Sequence, residues 1–349
     1  MQDILNLSRE EMSQWLEEKG IRPFRAKQIY KWIYLRQANS FKEMTDVGKK
    51  LQELLVDNFT ISRLEIENIE KSHDKTEKFL FKLKDNNFIE SVLIPVKDHY
   101  TLCISSQVGC AQNCRFCLTA KGGFKRNLTS SEIIAQIRDI RWHLINTNNK
   151  NKIANIVFMG MGEPLANYDA VIQALNIITN ADFGLKLSSN KITISTCGLV
   201  PEINKLGADT NANLAVSLNA TDDETRSMLM PVNNRYPIQQ LLDACQQYKM
   251  KPRKKITFEY ILINDINDKK EDAIRLCKLL APIKAKVNLI PFNEHDKSSF
   301  KKPSKEKISA FMQILLDAKL TAIIRKSKGD DISAACGQLK AKLEIKKNN

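Results

Sequence analysis

The sequence of 349 residues lacks any run of about eighteen apolar residues, the length that a helix needs to cross a bilayer. We therefore expect no membrane-spanning segment and no membrane partner. The first residues, MQDILNLSREEMSQW, have early acidic side chains and no apolar centre, so they do not resemble a secretory signal. Histidine is scarce as well, and none of the four stands at a spacing that completes a zinc knuckle.

Paired cysteines and excess negative charge are also missing. The eight cysteines form no framework of the kind that stabilises small secreted domains, which predicts a reducing compartment and a cytoplasmic protein. There are 54 Lys and Arg against 40 Asp and Glu, a formal net charge of +14. This surplus would attract a polyanion such as nucleic acid, although a solvated basic surface fits the charge equally well.

Three of the cysteines stand close together, in the run GCAQNCRFC. Cys110, Cys114 and Cys117 have the spacing C-x-x-x-C-x-x-C. Three soft thiolates on one tight loop can each bind a different iron of a 4Fe-4S cluster and leave the fourth iron open for chemistry. A structural zinc site needs four closed ligands, and no second cysteine pair follows here. The spacing therefore predicts an iron-sulfur site.

Predicted strands and helices alternate from residue 101 onward. The strands cover residues 101–105, 153–158, 191–195, 213–217, 256–262, 286–290 and 322–325. The helices between them cover residues 131–145, 168–179, 238–248, 269–280 and 304–318. A strand followed by a helix, repeated about six times, predicts an α/β fold with a parallel sheet in the form of a partial, open β/α barrel.

The chain divides into four predicted parts. Residues 1–75 form a small helical accessory domain, whose basic residues Arg22, Arg25, Lys27 and Lys31 would bind RNA or face water. Residues 76–95 form a linking β-hairpin that turns at Asp85, Asn86 and Asn87. Residues 96–330 form the partial barrel, and residues 331–349 form a short C-terminal extension.

Polar residues follow several predicted strands, where the carboxyl ends of barrel strands face an active site. They are Gly162 and Glu163 in GMGEP, Ser195 in TISTCG, Ser217, Leu218 and Asn219 in AVSLNA, and Asn293 in LIPFNE. Short hydroxyl and amide groups there could hold a cofactor, and glycine lets the backbone approach it closely. Each one taken singly also fits an ordinary turn or loop cap.

Two further thiols are not explained by the triplet. Cys336 lies beside Gly337 in GDDISAACGQL, and Cys103 precedes the triplet. Neither extends the C-x-x-x-C-x-x-C pattern. A free cysteine is usually a small buried hydrophobe, so spacing alone assigns neither of them a function.

The cysteine triplet, with Phe116 before its last cysteine, resembles the signature of the radical S-adenosylmethionine (SAM) enzymes. That resemblance implies a 4Fe-4S cluster whose open iron is chelated by SAM, and a 5'-deoxyadenosyl radical. Gly162 and Glu163 resemble the segment of these enzymes that contacts the amino group of SAM. The remaining strand-end residues would then hold other parts of the same cofactor.

Taken in order, the motifs resemble those of the bacterial dual-specificity RNA adenine C2-methyltransferases over nearly the whole chain. The matching segments are PFRAKQIYKWIY, SSQVGCAQNCRFC, GMGEPLANYDA, ISTCG, SLNA, MPVNNRYP, LIPFN and GDDISAACGQL. The resemblance implies methylation of carbon 2 of adenine in 23S rRNA and in tRNA. It also implies an external electron donor such as a flavodoxin, and we expect a monomer.

The same resemblance assigns the catalytic residues. One SAM methylates Cys336, and a second SAM yields the radical that abstracts hydrogen from the S-methyl group, so two SAM molecules are used per turnover. Cys103 then forms a disulfide bond with Cys336 as the methylated base leaves, and Glu90 accepts a proton. From the residues alone, Glu90 is a polar residue on a half-buried strand.

Two alternatives remain at the level of the sequence. The related enzymes that methylate carbon 8 of adenine and confer antibiotic resistance share the cluster and both thiols. Pro164 and the pair Val108 and Gly109 favour carbon 2. The other alternative is a non-catalytic iron-sulfur protein that binds RNA. The chain carries no G-x-G-x-G run of the kind that a doubly wound methyltransferase has after its first strand.

Overall fold

A large mixed sheet organises this computed structural model, which describes residues 1–149, 151–295 and 298–339. The helices are α1 (Arg9–Glu18), α2 (Phe24–Tyr34), α3 (Lys49–Asn58), α4 (Leu118–Lys121), α5 (Ser130–Asn146), α6 (Tyr168–Thr179), α7 (Val200–Asp209), α8 (Asp223–Leu229), α9 (Ile238–Gln247), α10 (Lys270–Leu280) and α11 (Lys305–Asp317). The strands are β1 (Gln2–Asp3), β2 (Phe59–Thr60), β3 (Glu65–Lys71), β4 (Glu77–Lys82), β5 (Phe88–Val96), β6 (His99–Cys103), β7 (Gln107–Gly109), β8 (Phe124–Asn127), β9 (Lys152–Phe158), β10 (Ile192–Thr196), β11 (Asn213–Ser217), β12 (Ile256–Leu262), β13 (Ala285–Pro291) and β14 (Thr321–Ile324).

Helices α1 to α3 form an N-terminal unit (residues 2–60). Ser8 and Glu11 make the capping box that starts α1: the backbone N–H of Glu11 donates to Ser8 Oγ at 3.1 Å, and that of Ser8 donates to Glu11 Oε2 at 2.7 Å. The short strands β1 and β2 pair in parallel. This pairing brings the two ends of the unit side by side.

The main sheet has the strand order β14-β13-β12-β11-β10-β9-β6-β5-β4-β3 among the described residues. From β6 to β14 every pairing is parallel, and helices connect successive strands of this half. The strands β3, β4 and β5 extend the sheet in antiparallel fashion. The predicted α/β fold with an open parallel barrel is therefore confirmed. Helices α4, α7 and α8 add to those predicted.

The segment around β3 differs from the prediction. Residues 65–71 were assigned to the helical domain, but they pair antiparallel with β4 from Glu65 opposite Lys82 to Lys71 opposite Glu77. The cause is visible in the composition: the strand reads EIENIEK and is mostly exposed, so it lacks the alternation of a half-buried strand. The hairpin of residues 76–95 does form, as part of the main sheet. The division into four domains stays a prediction, and residues 340–349 of its last part lie outside the described residues.

Helix α5 holds the segment that joins the N-terminal unit to the main sheet. Arg63, just after the unit, places Nη1 2.6 Å from Asp139 Oδ1 on α5, and the backbone N–H of Leu64 donates to the other carboxylate oxygen at 2.7 Å. Asp139 is 4% exposed, so both bonds are shielded from water. No helix in the described ranges is long and apolar enough to cross a membrane.

Candidate active site

The cysteine triplet lies on a loop that begins at the end of β7. Gly109 has φ +77°, and a Cβ there would stand 1.9 Å from the carbonyl oxygen of Gly123, so only glycine fits this close approach. The N–H of Cys110 donates to the same carbonyl at 2.9 Å. Strands β7 and β8 therefore close the base of the loop, and Cys117 stands directly before α4.

The three thiols line one pocket at the carboxyl ends of the barrel strands. Burial raises the pKa of each of them, to about 12 for Cys110. Because iron binds the thiolate, each thiol would lose its proton on binding a metal. Among the described residues, no three His, Cys, Asp or Glu side chains are grouped to hold one metal ion. A cluster makes a different demand, since each sulfur binds its own iron.

The segment after β9 forms the opposite wall, and Gly162 and Glu163 both line the pocket. Gly162 has φ +100°, and a Cβ there would stand 2.5 Å from Gln107 Cβ. The N–H of Glu163 donates to Gln107 Oε1 at 2.8 Å. Gln107 on β7 thereby joins this wall to the base of the cysteine loop.

The Glu163 carboxylate lines the pocket and also accepts two hydrogen bonds from the backbone. Its Oε1 accepts from the N–H of Leu165 at 3.1 Å, and its Oε2 accepts from the N–H of Cys197 at 2.8 Å. Burial raises the pKa of this carboxyl, while the hydrogen bond from Cys197 opposes that shift. The side chain is therefore held in one orientation.

Three of the other strand-end residues line the same pocket: Ser195, Ser217 and Asn219. Asn219 has φ +59°, and its Oδ1 accepts from the N–H of Ile261 at 2.8 Å. Leu218 is fully buried instead. Its backbone N–H donates to the carbonyl of Glu259 at 3.0 Å, and its carbonyl accepts from Arg226 Nε at 3.1 Å.

Asn293 lies in an adjoining cavity rather than in this pocket. That cavity is also lined by Arg325 and Cys336, which line the main pocket too, so the two spaces share one wall. The Oδ1 of Asn293 accepts a hydrogen bond from the hydroxyl of Ser327. The predicted contacts of Leu218 and Asn293 with a cofactor stay predictions.

Cys336 reaches the pocket on the C-terminal segment (residues 329–339). This segment is bound to α4: the N–H of Leu118 donates to the carbonyl of Gly337 at 2.6 Å, and Thr119 Oγ1 donates to that of Leu339 at 3.3 Å. Cys336 is exposed. The fold therefore brings this distant thiol next to the cysteine loop.

Cys103 stands at the carboxyl end of β6, and it is 6% exposed. Burial and, to a lesser extent, the charge of Cys336 raise its pKa, while Arg325 opposes them, and the result is a pKa of about 12. The two thiols therefore lie within electrostatic range of each other and of one guanidinium. Both are free in the structure.

Glu90 lies on β5, on the face of the sheet that carries Cys103. Val92 pairs with Cys103, and Glu90 is two residues away on the same strand, so its side chain points to the same side. Glu90 is 6% exposed and does not line the main pocket. Lys78 on β4 stands 3.7 Å from its Oε1.

The two charged pocket residues that the sequence did not reveal are Arg325 and Glu259. Arg325 directly follows β14, and the rule that residues at strand ends face the site would have found it. Glu259 is 5% exposed and lies within β12, where the sequence pattern does not distinguish a site residue from any other strand residue. Its Oε1 accepts from Asn288 Nδ2 at 2.9 Å, and it lines the pocket near Arg325.

Comparisons with known proteins match this geometry. A family model described as "Ribosomal RNA large subunit methyltransferase N-terminal domain" matches residues 2–61, and one described as "Radical SAM superfamily" matches residues 104–277. The chain is 54% identical to the "Dual-specificity RNA methyltransferase RlmN" of Desulfosudis oleivorans over 99% of this chain and 92% of that protein. The corresponding protein of Geobacter sulfurreducens is 51% identical, over 99% and 94%.

A solved structure agrees with these relatives. It is described as a radical SAM methyltransferase from Sphaerobacter thermophilus and superposes with a TM-score of 0.90 at 38% identity, over 97% of this chain and 99% of that one. A three-cysteine loop at the mouth of an open parallel barrel defines the class, a radical SAM enzyme. Within that class, the chain belongs to the RlmN family of dual-specificity RNA methyltransferases.

Membership of the radical SAM superfamily implies a 4Fe-4S cluster and SAM. The residues that line the pocket fit both the cluster and SAM. Three thiols on one loop offer the soft donors of a cluster, while Glu163, Ser195 and Ser217 offer polar groups across the pocket.

Proposed function

We propose that the protein methylates carbon 2 of adenine in 23S rRNA and in tRNA through an S-methylcysteine on Cys336. The observation that carries this proposal is the shared pocket of Cys336 and the three cluster cysteines. Cys336 is distant in sequence from the other three cysteines, and a role as the acceptor of a methyl group explains why the fold brings it next to them. The family name of the relatives, dual-specificity RNA methyltransferase, supports the two classes of RNA.

Carbon 2 of adenine is electron-poor, so direct displacement of a methyl group from a sulfonium offers no nucleophile. When bound at Cys110, Cys114 and Cys117, the cluster together with SAM supplies a radical that removes hydrogen from an S-methyl group. The chain itself supplies the carrier: Cys336 is exposed and can receive the methyl group at Sγ. Each turnover would then use two SAM molecules, one for the carrier and one for the radical.

Release of the product requires a second thiol and a base. The Cys103 thiolate attacks the sulfur of Cys336, so an S–S bond forms and the bond from sulfur to the transferred carbon breaks. The electron pair of that bond stays on the transferred carbon, which takes up a proton and becomes the methyl group, and the one unpaired electron left by the radical addition would return to the cluster held by Cys110, Cys114 and Cys117. The Glu90 carboxylate accepts the proton that leaves carbon 2. The placement of Cys103 and Glu90 on one face of the sheet supports these roles. An external donor such as a flavodoxin would then reduce the disulfide.

The test is the reaction itself. Anaerobically reconstituted protein is incubated with SAM, reductant and a fragment of 23S rRNA or a tRNA, and the nucleosides are identified by mass spectrometry. We expect 2-methyladenosine from both RNAs. Production of 8-methyladenosine would show that the protein methylates carbon 8 instead of carbon 2. An intact cluster without any methylated base would favour a non-catalytic protein that binds RNA. The monomeric state and the cytoplasmic location stay predictions beside this test.

Cys336→Ala is expected to lower product formation by at least about a thousandfold, because the variant has no carrier for the methyl group. The cluster absorbance should persist, since the three cluster cysteines are unchanged. Cys277→Ala is the matched control, because this half-buried thiol on α10 does not line the pocket. Product formation by Cys336→Ala at the rate of the control would contradict the carrier role.

A further inference from the structure

Lys78 carries an ammonium group that is buried beneath the C-terminal segment. Its side chain is 3% exposed, and Nζ donates to the carbonyl of Ile332 at 2.7 Å. The same nitrogen stands 3.2 Å from Glu70 Oε1 and 3.7 Å from Glu90 Oε1. Burying a charged group costs free energy unless the charge is paired, so the contacts with Ile332, Glu70 and Glu90 offset the cost of burying the Lys78 ammonium group.

The strand register places Lys78 on the face of the sheet that carries Cys103 and Glu90. Lys78 pairs with Val92 on β5, and Val92 pairs with Cys103 on β6. Residues directly opposite one another share a face of the sheet. Lys78 therefore lies in the same cross-strand row as Cys103 and on the same face as Glu90.

The turn between β3 and β4 (residues 72–76) holds the C-terminal segment from the same side. Ser72 Oγ donates to Asp331 Oδ1 at 2.6 Å, and the N–H of His73 donates to Oδ2 of the same residue at 3.3 Å. The N–H of Gly329 donates to Asp74 Oδ2 at 3.3 Å. These bonds fix the start of the segment, and the bond from Lys78 to Ile332 fixes it shortly before Cys336.

We propose that Lys78 is a positioning residue that couples the Cys336 carrier to the Glu90 base. Through Nζ it holds the segment that bears Cys336, and the same ammonium group, 3.7 Å from Glu90 Oε1, keeps the Glu90 carboxylate oriented. Other charged groups on this side include Glu70 on β3, the pair of Asp74 and Lys328, and Asp331 in the segment, which Ser72 and His73 hold. The inference rests on the proposed function, because it concerns the proton that leaves carbon 2.

The test replaces Lys78 by Met, which keeps the length of the side chain and removes its charge. If Glu90 is no longer held as a base, the proton on carbon 2 stays in place and the RNA remains linked to Cys336. We expect S-methylation of Cys336 within about twofold of the unchanged chain, and product formation lower by about tenfold or more, as partial loss of a general base implies. A covalent complex of protein and RNA should accumulate on denaturing gels although Cys103 is intact.

Lys82→Met is the matched control, because Lys82 is on the same strand, is more exposed, and pairs at 3.8 Å with Glu65. It should form product at the rate of the unchanged chain and no complex. Lys78→Arg keeps the charge and should restore at least about half of the product. Removing the ammonium group leaves the carboxylates of Glu70 and Glu90 close together, and their repulsion destabilises the single variant. A combined Lys78→Met and Glu70→Gln variant removes one of these two charges, and it should still accumulate the complex.

Product at the unchanged rate in Lys78→Met would overturn the proposal. So would a parallel loss of Cys336 methylation and of product without any complex in the combined variant, since that result describes a structural anchor alone. Failure of the unchanged chain to make 2-methyladenosine would instead refute the proposed function. The two failures are therefore distinguishable in one set of reactions.

Discussion

At the scale of single residues, the environment of Cys103 sets a condition on the proposed chemistry. Burial raises the pKa of this thiol, to about 12, so at neutral pH the protonated thiol predominates and little of the thiolate that attacks sulfur is present. The Arg325 guanidinium counteracts the shift. Release of the methylated base should therefore quicken as pH rises, because more of the attacking thiolate is present.

Removing that thiol should trap the reaction. In Cys103→Ala the bond between Cys336 and the transferred carbon cannot be exchanged for a disulfide, so we expect a covalent protein–RNA complex with little free product. Denaturing gels and mass spectrometry of the cross-linked peptide measure it. Cys245→Ala is a suitable control, because that thiol is also buried but lies in the core on α9. Free product from Cys103→Ala at the rate of the control would argue against its role in release.

The sequence predicts the residues of this site unevenly. The three cysteines predicted to hold a cluster follow from their spacing alone, because the distance between ligands on a tight loop reflects the coordination chemistry. Glu90 was assigned only by resemblance, since nothing local separates it from any polar strand residue. Lys78 carries no local signal either, because its meaning depends on Ile332, which is near in space and far in sequence.

At the scale of secondary-structure elements, the turn after β9 shows how backbone geometry places side chains. Gly162 adopts a left-handed conformation with φ +100°, and a Cβ added there would stand 2.5 Å from Gln107 Cβ. That conformation points Glu163 into the pocket while its N–H binds the same glutamine at 2.8 Å. A side chain at residue 162 would be strained by the positive φ and would also clash with Gln107.

Gly162→Ala should therefore lower the free energy of unfolding by about 1–3 kcal/mol, the usual range for a strained backbone position. Denaturant titration of the metal-free protein measures this difference. Gly48→Ala is the control, because Gly48 has φ −60° and nothing within 4 Å of an added Cβ. Equal stability of the two variants would show that the turn relaxes easily.

The elements themselves were predictable where apolar runs alternate with amphipathic ones. The strands β11 and β12 and the helix α6 match their predicted bounds, because each has a clear apolar pattern between turn residues. Strand β3 was not predictable in this way. It is held by hydrogen bonds to β4 rather than by burial of its side chains.

At the scale of the whole molecule, the charge of +14 predicts how the protein meets RNA. Basic side chains displace counterions from the phosphate backbone, so affinity depends on salt. We expect binding of a labelled RNA hairpin to weaken by at least about tenfold between 50 and 200 mM salt, as counterion release implies for a protein that contacts several phosphates. Fluorescence anisotropy measures it, and an affinity that does not change with salt would leave the excess charge without a role in binding.

The charged strand β3 also has a consequence for how copies of the protein behave together. It is one outer edge of the main sheet, and an uncovered edge offers its backbone to any strand that can pair with it. Along β3 stand Glu65, Glu67, Glu70 and Lys71, and the strand is mostly exposed. A second copy adding its own β3 would bring two mostly negative rows together, so edge-to-edge polymerisation of the sheet is disfavoured.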